Sequence, residues 1–345
     1  MYVSKNTNYY TYIFSFIFIL IFSVLSNKYN YAEVDNDNKN DQNEQKSENS
    51  YNYEKNNYLL FIEQNIGLSR YNAAQKLLEE FKAKYPNNQE RKFYYLSAIL
   101  NEKKADYFKA VQDYQKAINI HPGYSQARNA LGSLYLKLGR YSESEAELLK
   151  AAEINPYSPF INYNIGDLYY KIRKYDPAEK YLAKAIKYKA NFGDAFYKLG
   201  LVFYNTNKFE LALENLEKAS QFNNSSHEIY YYVGMANKSL GKTDTAILNI
   251  KKALKIKNGF YKGFLELGKL FQKQKDYKNA VKYFLVAESI NFDDITVRIS
   301  LAECYCEMKR YDDAVDVIEK LMKSNYNNEK LSEILSQVKE KKYPD

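Results

Sequence analysis

From residue 91 to residue 328 the chain repeats one pattern of apolar and polar positions in seven copies of equal length, without a gap. In the copy that begins at residue 193, the first half carries apolar residues with the i, i+3, i+4, i+7 spacing of one helix face: Phe196, Leu199, Gly200 and Phe203. The second half continues with a second such stripe: Ala212, Leu216 and Ala219. Each copy is therefore predicted to be a pair of amphipathic helices.

Small residues recur at fixed positions in these copies. One small residue falls at the same place in each first helix: Ala98, Gly132, Gly166, Gly200, Gly234, Gly268 and Ala302. Another falls in each second helix: Ala110, Ser144, Ala178, Ala212, Ala246, Ala280 and Ala314. Small side chains let two helix backbones approach closely, and a single helix pair cannot bury its apolar face alone. The copies are therefore expected to stack on one another as a solenoid.

The repeats have predicted neighbours at both ends. An earlier copy over 55–90 keeps Tyr71, Ala74 and Leu78 at the matching spacing but is slightly longer than the others. A last helix with a single apolar stripe is predicted within 329–345 and would close the array. The eight predicted repeats are 55–90, 91–124, 125–158, 159–192, 193–226, 227–260, 261–294 and 295–328.

The copy over 125–158 follows the pattern of a known repeat family well. It contains Ala130, Leu131, Gly132, Tyr135, Tyr141, Leu148, Ala151 and Pro156. This spacing resembles the tetratricopeptide repeat, whose pattern is W-x2-L-G-x2-Y, A-x3-F, Ala and Pro. The resemblance implies an all-α fold, a right-handed α-α superhelix of about eight helix hairpins. Arg128, Asn162 and Arg298 are polar where the family has its first aromatic residue, so those three repeats are expected to pack that corner less fully.

The first residues read as a targeting segment. An apolar run from Ile13 to Leu25 follows Lys5, which is typical of a secretory signal peptide over 1–26, cleaved after Ser26. Counted from residue 9, the run also reaches the lower limit for an uncleaved membrane anchor, so a membrane tether through residues 9–25 stays open. Either way the protein is expected to be exported and extracytoplasmic: periplasmic, secreted or N-terminally anchored. Residues 27–54 are predicted to be a disordered polar linker.

The resemblance also indicates where a partner would bind. In this family the first helix of each repeat lines a concave groove, which implies these groove residues here: Tyr95, Asn129, Tyr163, Asn164, Asp167, Tyr170, Tyr197, Lys198, Tyr204, Tyr231, Tyr232 and Lys238. Tyr163, Tyr197 and Tyr231 take the same position in three successive copies and would form a ladder. Rigid, amphipathic tyrosines suit contact with an extended peptide of another protein. The same tyrosines could equally serve only to pack neighbouring helices.

Charge is uneven along the array. The chain has a formal net charge of +8, and the segment 251–282 contains ten Lys against two acidic residues. Its groove-facing members Lys262, Lys269 and Lys273 could form a basic patch that attracts an anionic surface. The alternative is that these lysines belong to ordinary solvated faces, with Glu303 and Glu307 one period later neutralising Lys269 and Lys273. An export signal disfavours nucleic acid as the partner.

The sequence offers little for catalysis or metal binding. Its two His residues, His121 and His227, lie about three repeats apart, and Cys304 and Cys306 point in different directions on one predicted helix. None of the phosphate-binding, zinc-protease or hydrolase motifs is present. We therefore expect no enzyme activity, cofactor or metal, and a scaffold for protein-protein interaction. The open alternatives are an accessory subunit of an envelope assembly or secretion complex, and an anionic-surface binder.

Overall fold

In the computed structural model, residues 39–323 and 329–342 are described, and the predicted targeting segment, 1–26, lies outside them. The described residues form seventeen α-helices and no strand. The helices are α1 (Lys39–Gly67), α2 (Tyr71–Lys84), α3 (Arg91–Lys103), α4 (Tyr107–Ile120), α5 (Ser125–Lys137), α6 (Tyr141–Ile154), α7 (Pro159–Lys171), α8 (Tyr175–Tyr188), α9 (Gly193–Asn205), α10 (Phe209–Phe222), α11 (His227–Ser239), α12 (Thr243–Ile256), α13 (Tyr261–Lys273), α14 (Tyr277–Ile290), α15 (Ile295–Glu307), α16 (Tyr311–Lys323) and α17 (Glu329–Lys342). The prediction of an all-α array of helix pairs is confirmed.

The chain divides into two compact units, one ending at Asn88 and the other beginning at Gln89. In the first, α1 packs against α2 and buries Leu59, Ile62 and Phe81. In the second, each odd-numbered helix from α3 to α15 packs against the helix that follows it, and each pair contacts the next pair. The first helices α3, α5, α7, α9, α11, α13 and α15 each begin at the first residue of a predicted repeat. At the C-terminal end, α17 contacts α16 and buries Val338.

The predicted linker over 27–54 is corrected by the structure, because α1 already begins at Lys39. Residues 39–66 contain neither Gly nor Pro, and they are rich in Glu, Gln and Lys, which favour helix. Once the part of α1 that packs on α2 is helical, extending the helix toward its N-terminus adds a hydrogen bond for each residue fixed. Tyr51 also packs its ring edge-on against Tyr85, with centroids 5.2 Å apart. Within the described residues, no helix is both long and apolar enough to cross a membrane.

The turn between the two helices of a repeat follows one design. The second residue after each first helix adopts a positive φ in every repeat of the second unit: Ala105, Gly139, Arg173, Asn207, Gly241, Lys275 and Lys309. The next residue donates its N–H to a carbonyl in the last turn of the first helix, as Lys174 does to Tyr169 at 2.8 Å. This is the Schellman arrangement, which satisfies the last free carbonyls of a helix.

The small residues in the first helices mark where the two helices of a repeat touch. A Cβ atom added to Gly166 would lie 2.6 Å from Cγ of Leu182, and one added to Gly200 would lie 2.7 Å from Cγ of Leu216. Ser144, the one polar member of the second small set, donates its hydroxyl to the carbonyl of Gly132 at 2.7 Å. The close approach therefore brings a hydrogen bond as well as apolar contact.

Two of the polar residues at the first aromatic position, Asn162 and Arg298, are buried and hydrogen-bonded. Asn162 is 1% exposed, and its Nδ2 donates to the carbonyls of Pro156 and Ser158 at 2.9 and 2.8 Å. Arg298 is 4% exposed, pairs with Glu288 at 2.9 Å and lies 3.7 Å above the ring of Phe292. The expectation of poorer packing is therefore wrong for the repeat of Asn162, where hydrogen bonds fill the space. Arg298, in contrast, lines a cavity of about 180 Å³ together with Glu288 and Phe292.

Candidate peptide-binding surface

Six of the eight tyrosines on the first helices of three successive repeats belong to the predicted groove. We call this set the tyrosine wall: Tyr163 and Tyr170 on α7, Tyr197 and Tyr204 on α9, and Tyr231 and Tyr232 on α11. Tyr197 and Tyr232 bring their ring centroids within 6.4 Å, and Tyr204 and Tyr232 within 5.6 Å. The wall is therefore continuous between α9 and α11.

Polar contacts connect the wall to α5 and join α7 to α9. Lys198 on α9 pairs with Asp167 on α7 at 2.6 Å, and its Nζ lies 5.3 Å from the ring centroid of Tyr170. Asn164 on α7 donates to the side-chain oxygen of Asn129 on α5 at 2.9 Å. The predicted groove residues of α5, α7, α9 and α11 therefore lie on adjoining helix faces.

Two phenylalanines that the sequence analysis missed support the wall from the connecting loops. Phe192 lies 5.0 Å from the ring of Tyr163, and Phe260 lies 5.1 Å from the ring of Tyr231. Each directly precedes a first helix, and each is the last residue of its predicted repeat, two periods apart. An aromatic residue at the last position of alternate repeats was the available signal.

The hydroxyls on the tyrosine wall differ from those of Tyr169 and Tyr114 in their hydrogen bonding. Tyr169 donates to Glu145 at 2.8 Å and Tyr114 to Glu102 at 3.2 Å, so both find a partner within the protein. By contrast, no hydrogen bond from a described residue reaches the following wall hydroxyls: Tyr163, Tyr197, Tyr204, Tyr231 and Tyr232. Asn205 donates to the hydroxyl of the sixth, Tyr170, at 3.4 Å.

Partial burial raises the pKa of several wall tyrosines. Burial is the main reason that the pKa of Tyr163, Tyr197 and Tyr231 is raised above its ordinary value, with smaller contributions from nearby carboxylates. The pKa of Tyr232 is raised for the same reason. These four side chains therefore keep their protons at neutral pH and remain hydrogen-bond donors as well as acceptors.

The three helices that carry the wall are electrically balanced. Each holds one acidic and one basic side chain: Asp167 and Lys171 on α7, Asp194 and Lys198 on α9, and Glu228 and Lys238 on α11. The first helices on either side, α5 and α13, each carry a net charge of +2. The wall is thus a neutral, aromatic surface between two basic helices.

The remaining predicted groove residues lie at the edges of this surface. Tyr95 packs its ring against Tyr114 and Tyr124, with centroids 5.9 and 5.3 Å apart, and does not belong to the wall. Lys238 pairs with the buried carboxylate of Glu266 at 2.5 Å, and Lys269 approaches the same carboxylate at 3.4 Å.

The predicted basic patch is weaker than its sequence suggests. Lys262 and Lys273 are exposed, whereas Lys269 is partly buried and pairs with Glu266. Glu303 accepts a hydrogen bond from Gln272 instead of meeting Lys269. The expected neutralisation of Lys269 by Glu303 is therefore replaced by pairing within α13, since Glu266 lies one turn before Lys269 on the same helix.

Other candidate sites for catalysis or metal binding in the described part of the chain are absent, buried or already paired. No group of three metal-binding side chains occurs there. Cys304 is buried, and burial raises the pKa of its thiol to about 12. A cavity of about 180 Å³ between α14, α15 and α16 is lined by Glu288, Arg298 and Asp316 among others, but Glu288 pairs with Arg298, and Asp316 with Lys320.

Comparison with known protein families agrees with this architecture. Two tetratricopeptide repeat models match residues 103–159 and 163–226, and the model for subunit 3 of the anaphase-promoting complex, or cyclosome, matches 239–321. None of the curated proteins matches the chain.

Solved structures show the same fold at low identity. The pilF protein of Pseudomonas aeruginosa is 19% identical with a TM-score of 0.53, over 62% of this chain and 97% of that one. The C-terminal part of a TPR repeat-containing protein from Cytophaga hutchinsonii is 16% identical with a TM-score of 0.53, over 70% and 99%. The APC/C hetero-tetramer Cut9-Hcn1 is 17% identical with a TM-score of 0.53, over 81% and 55%. From its repeats and these matches, the chain belongs to the tetratricopeptide repeat family.

Proposed function

We propose that this protein is a non-catalytic scaffold that holds an extended segment of another protein along the tyrosine wall. Tetratricopeptide repeats are interaction scaffolds that bind proteins or peptides, and they are generally without catalytic activity. The observation that supports the wall as the binding surface is a set of five accessible hydroxyls on adjoining helix faces, none of them bonded to a described residue. These hydroxyls can donate to and accept from a bound segment.

Helix packing alone accounts for only part of the wall. Ring contacts such as Tyr204 with Tyr232 would stabilise neighbouring repeats without any partner. A phenylalanine would make the same contacts without a hydroxyl that needs hydrogen bonds. The wall hydroxyls can in addition bond to a ligand, which supports a role in binding beside the structural one.

The scaffold proposal is tested by truncating the ladder. Tyr163→Ala, Tyr197→Ala and Tyr231→Ala in one chain should abolish capture of the partner that the wild-type protein retains, because each removes ring area and a hydroxyl together. A matched triple variant at exposed tyrosines outside the wall, namely Tyr53→Ala, Tyr141→Ala and Tyr157→Ala, controls for general loss of tyrosine. Circular dichroism checks that both variants remain helical. Equal capture by the two variants would contradict the proposal.

We also propose that the scaffold works outside the cytoplasm, as part of an envelope assembly or secretion complex. The apolar run over residues 13–25 supports this, with cleavage after Ser26 or a retained tether through 9–25 as the two forms. Cell fractionation should recover the full chain outside the cytoplasm and a variant that lacks residues 2–26 inside it. Recovery of both from the cytoplasm would contradict the proposal. With Lys269 paired to Glu266, an anionic-surface role is the weaker alternative.

A further inference from the structure

We infer that the segment held by the wall is proline-rich and adopts the polyproline II conformation. This inference rests on the proposed function and specifies the chemistry of the partner at the same surface. It places three ligand residues, spaced i, i+3 and i+6, against Tyr163, Tyr197 and Tyr231.

The first argument is hydrogen bonding. Five wall hydroxyls lack a partner among the described residues, and a tyrosine hydroxyl can donate a hydrogen bond. A proline-rich segment has free backbone carbonyls and few N–H groups, because proline has no N–H and the polyproline II helix forms no internal hydrogen bonds. Such a ligand offers acceptors to the hydroxyls and leaves few donors of its own unsatisfied.

The second argument is spacing. Packed helices lie about 8–10 Å apart, and Tyr163, Tyr197 and Tyr231 take the same position on three successive first helices. The polyproline II helix has three residues per turn and rises about 3.1 Å per residue, so every third residue faces the same side about 9 Å further on. In a β-strand, side chains on one face recur about every 7 Å, and the third residue faces away. Polyproline II is therefore the extended conformation that matches the ladder.

The third argument is charge. The helices α7, α9 and α11 each carry one acidic and one basic side chain, and Lys198 and Asp167 neutralise each other within the wall at 2.6 Å. A strongly charged segment would lose its hydration there and gain no net opposite charge. Proline rings instead stack on tyrosine faces, which is how aromatic-lined grooves recognise such segments.

The test uses the full-length chain and fluorescein-labelled nine-residue peptides in fluorescence polarisation. Oligoproline should bind saturably, and a Gly-Ser peptide of equal length should bind at least about tenfold more weakly. Tyr163→Phe, Tyr197→Phe and Tyr231→Phe together keep the rings and remove three hydroxyls. At about fivefold per hydrogen bond lost, the oligoproline Kd should rise roughly a hundredfold.

The control variant is Tyr169→Phe, which removes a hydroxyl that is already bonded to Glu145 at 2.8 Å and lies outside the wall. It should leave the oligoproline Kd within about twofold of wild type. Equal binding of oligoproline and the Gly-Ser peptide would overturn the proline inference. So would an unchanged Kd in the triple phenylalanine variant.

A random-peptide display selection on the full-length chain separates this inference from the scaffold proposal. Selected peptides with proline at i, i+3 and i+6, lost on the triple Tyr→Ala variant, would support both. Selected peptides without proline that are lost on that variant would overturn the proline inference and keep the wall as the binding surface. Peptides that bind the variant equally well, or a selection that yields no binder, would overturn both.

Discussion

Replacing Gly200 tests the packing on which the array depends. A Cβ atom at this position would lie 2.7 Å from Cγ of Leu216, 2.9 Å from its Cδ2 and 3.3 Å from the carbonyl oxygen of Ala212. Leu216 and Ala212 are fully buried, so neither can move aside without disturbing its neighbours. The close contact between α9 and α10 is therefore the feature that the substitution perturbs.

The expected change in the free energy of unfolding follows from two opposing effects. Gly→Ala gains about 1 kcal/mol of helix propensity, while overpacking a core costs about 1–3 kcal/mol. Gly200→Ala should therefore lower the free energy of unfolding by about 1 kcal/mol. Gly200→Leu adds three further carbons at the same place and should lower it by about 3 kcal/mol.

Urea unfolding followed by circular dichroism measures the global effect, and amide hydrogen exchange shows where it acts. Protection should fall mainly in α9, α10 and the adjoining helices, because each repeat contacts only its neighbours. Gly259→Ala is the matched control, since no atom lies within 4 Å of a Cβ built there. It should leave stability within about 0.5 kcal/mol of wild type.

A second substitution, at Leu216, tests whether α9 and α10 meet at Gly200. Leu216→Ala alone should cost about 2–5 kcal/mol because it leaves a cavity. Combined with Gly200→Leu, the new leucine can enter that cavity, so the double variant should be more stable than the sum of the two single losses predicts. Strict additivity, or a Gly200→Leu variant as stable as Gly259→Ala, would show that the two helices do not meet at Gly200 in this way.

Three further predictions concern other parts of the array. In the native protein a maleimide should modify Cys306 but spare Cys304, because burial raises the pKa of the Cys304 thiol to about 12. Mass spectrometry should show that both thiols react in urea. Rapid labelling of both thiols in the native protein would contradict the burial of Cys304. Glu288→Leu leaves the guanidinium of Arg298 buried without its carboxylate and should cost about 3 kcal/mol in urea unfolding, more than Arg298→Met, and the reverse order would refute the buried pair. Lys275→Gly should stabilise by up to about 1 kcal/mol in the same assay, because Lys275 adopts a φ of 62°, and a loss of stability would show that its side chain contributes more than the strain costs.

The repeat architecture could be predicted from sequence because packing imposes it at every copy. Gly132 and Gly166 recur where Leu148 and Leu182 approach within 2.6 Å of a would-be Cβ, so any larger residue there would conflict with the helix pair. The positive-φ turns were less visible, since Arg173 and Lys309 occupy them and only two of the seven hold glycine. A hydrogen-bonded turn tolerates such residues at a modest cost in free energy. The sequence therefore need not show glycine at this position.

Contacts between charged side chains could not be predicted from the repeat period alone. The period places Glu303 opposite Lys269, yet Lys269 pairs with Glu266 one turn earlier on its own helix, while Glu303 accepts from Gln272. Long flexible side chains choose among several partners within reach at small differences in free energy. The period therefore determines which helix faces meet, and the pairing within a face depends on local geometry.

Tyr163 and Tyr169 show what the structure adds to the predicted groove. Both tyrosines lie on α7, and the repeat position places only Tyr163 in the predicted groove. Tyr169 points toward the preceding repeat, where Glu145 accepts its hydrogen bond at 2.8 Å. Tyr163 packs on Phe192 at 5.0 Å, and its hydroxyl is left without a described partner. A satisfied hydroxyl contributes to stability, and an unsatisfied one is available to a ligand. Tyr169→Phe should therefore lower the free energy of unfolding without weakening peptide binding. Tyr163→Phe should weaken peptide binding without lowering the free energy of unfolding.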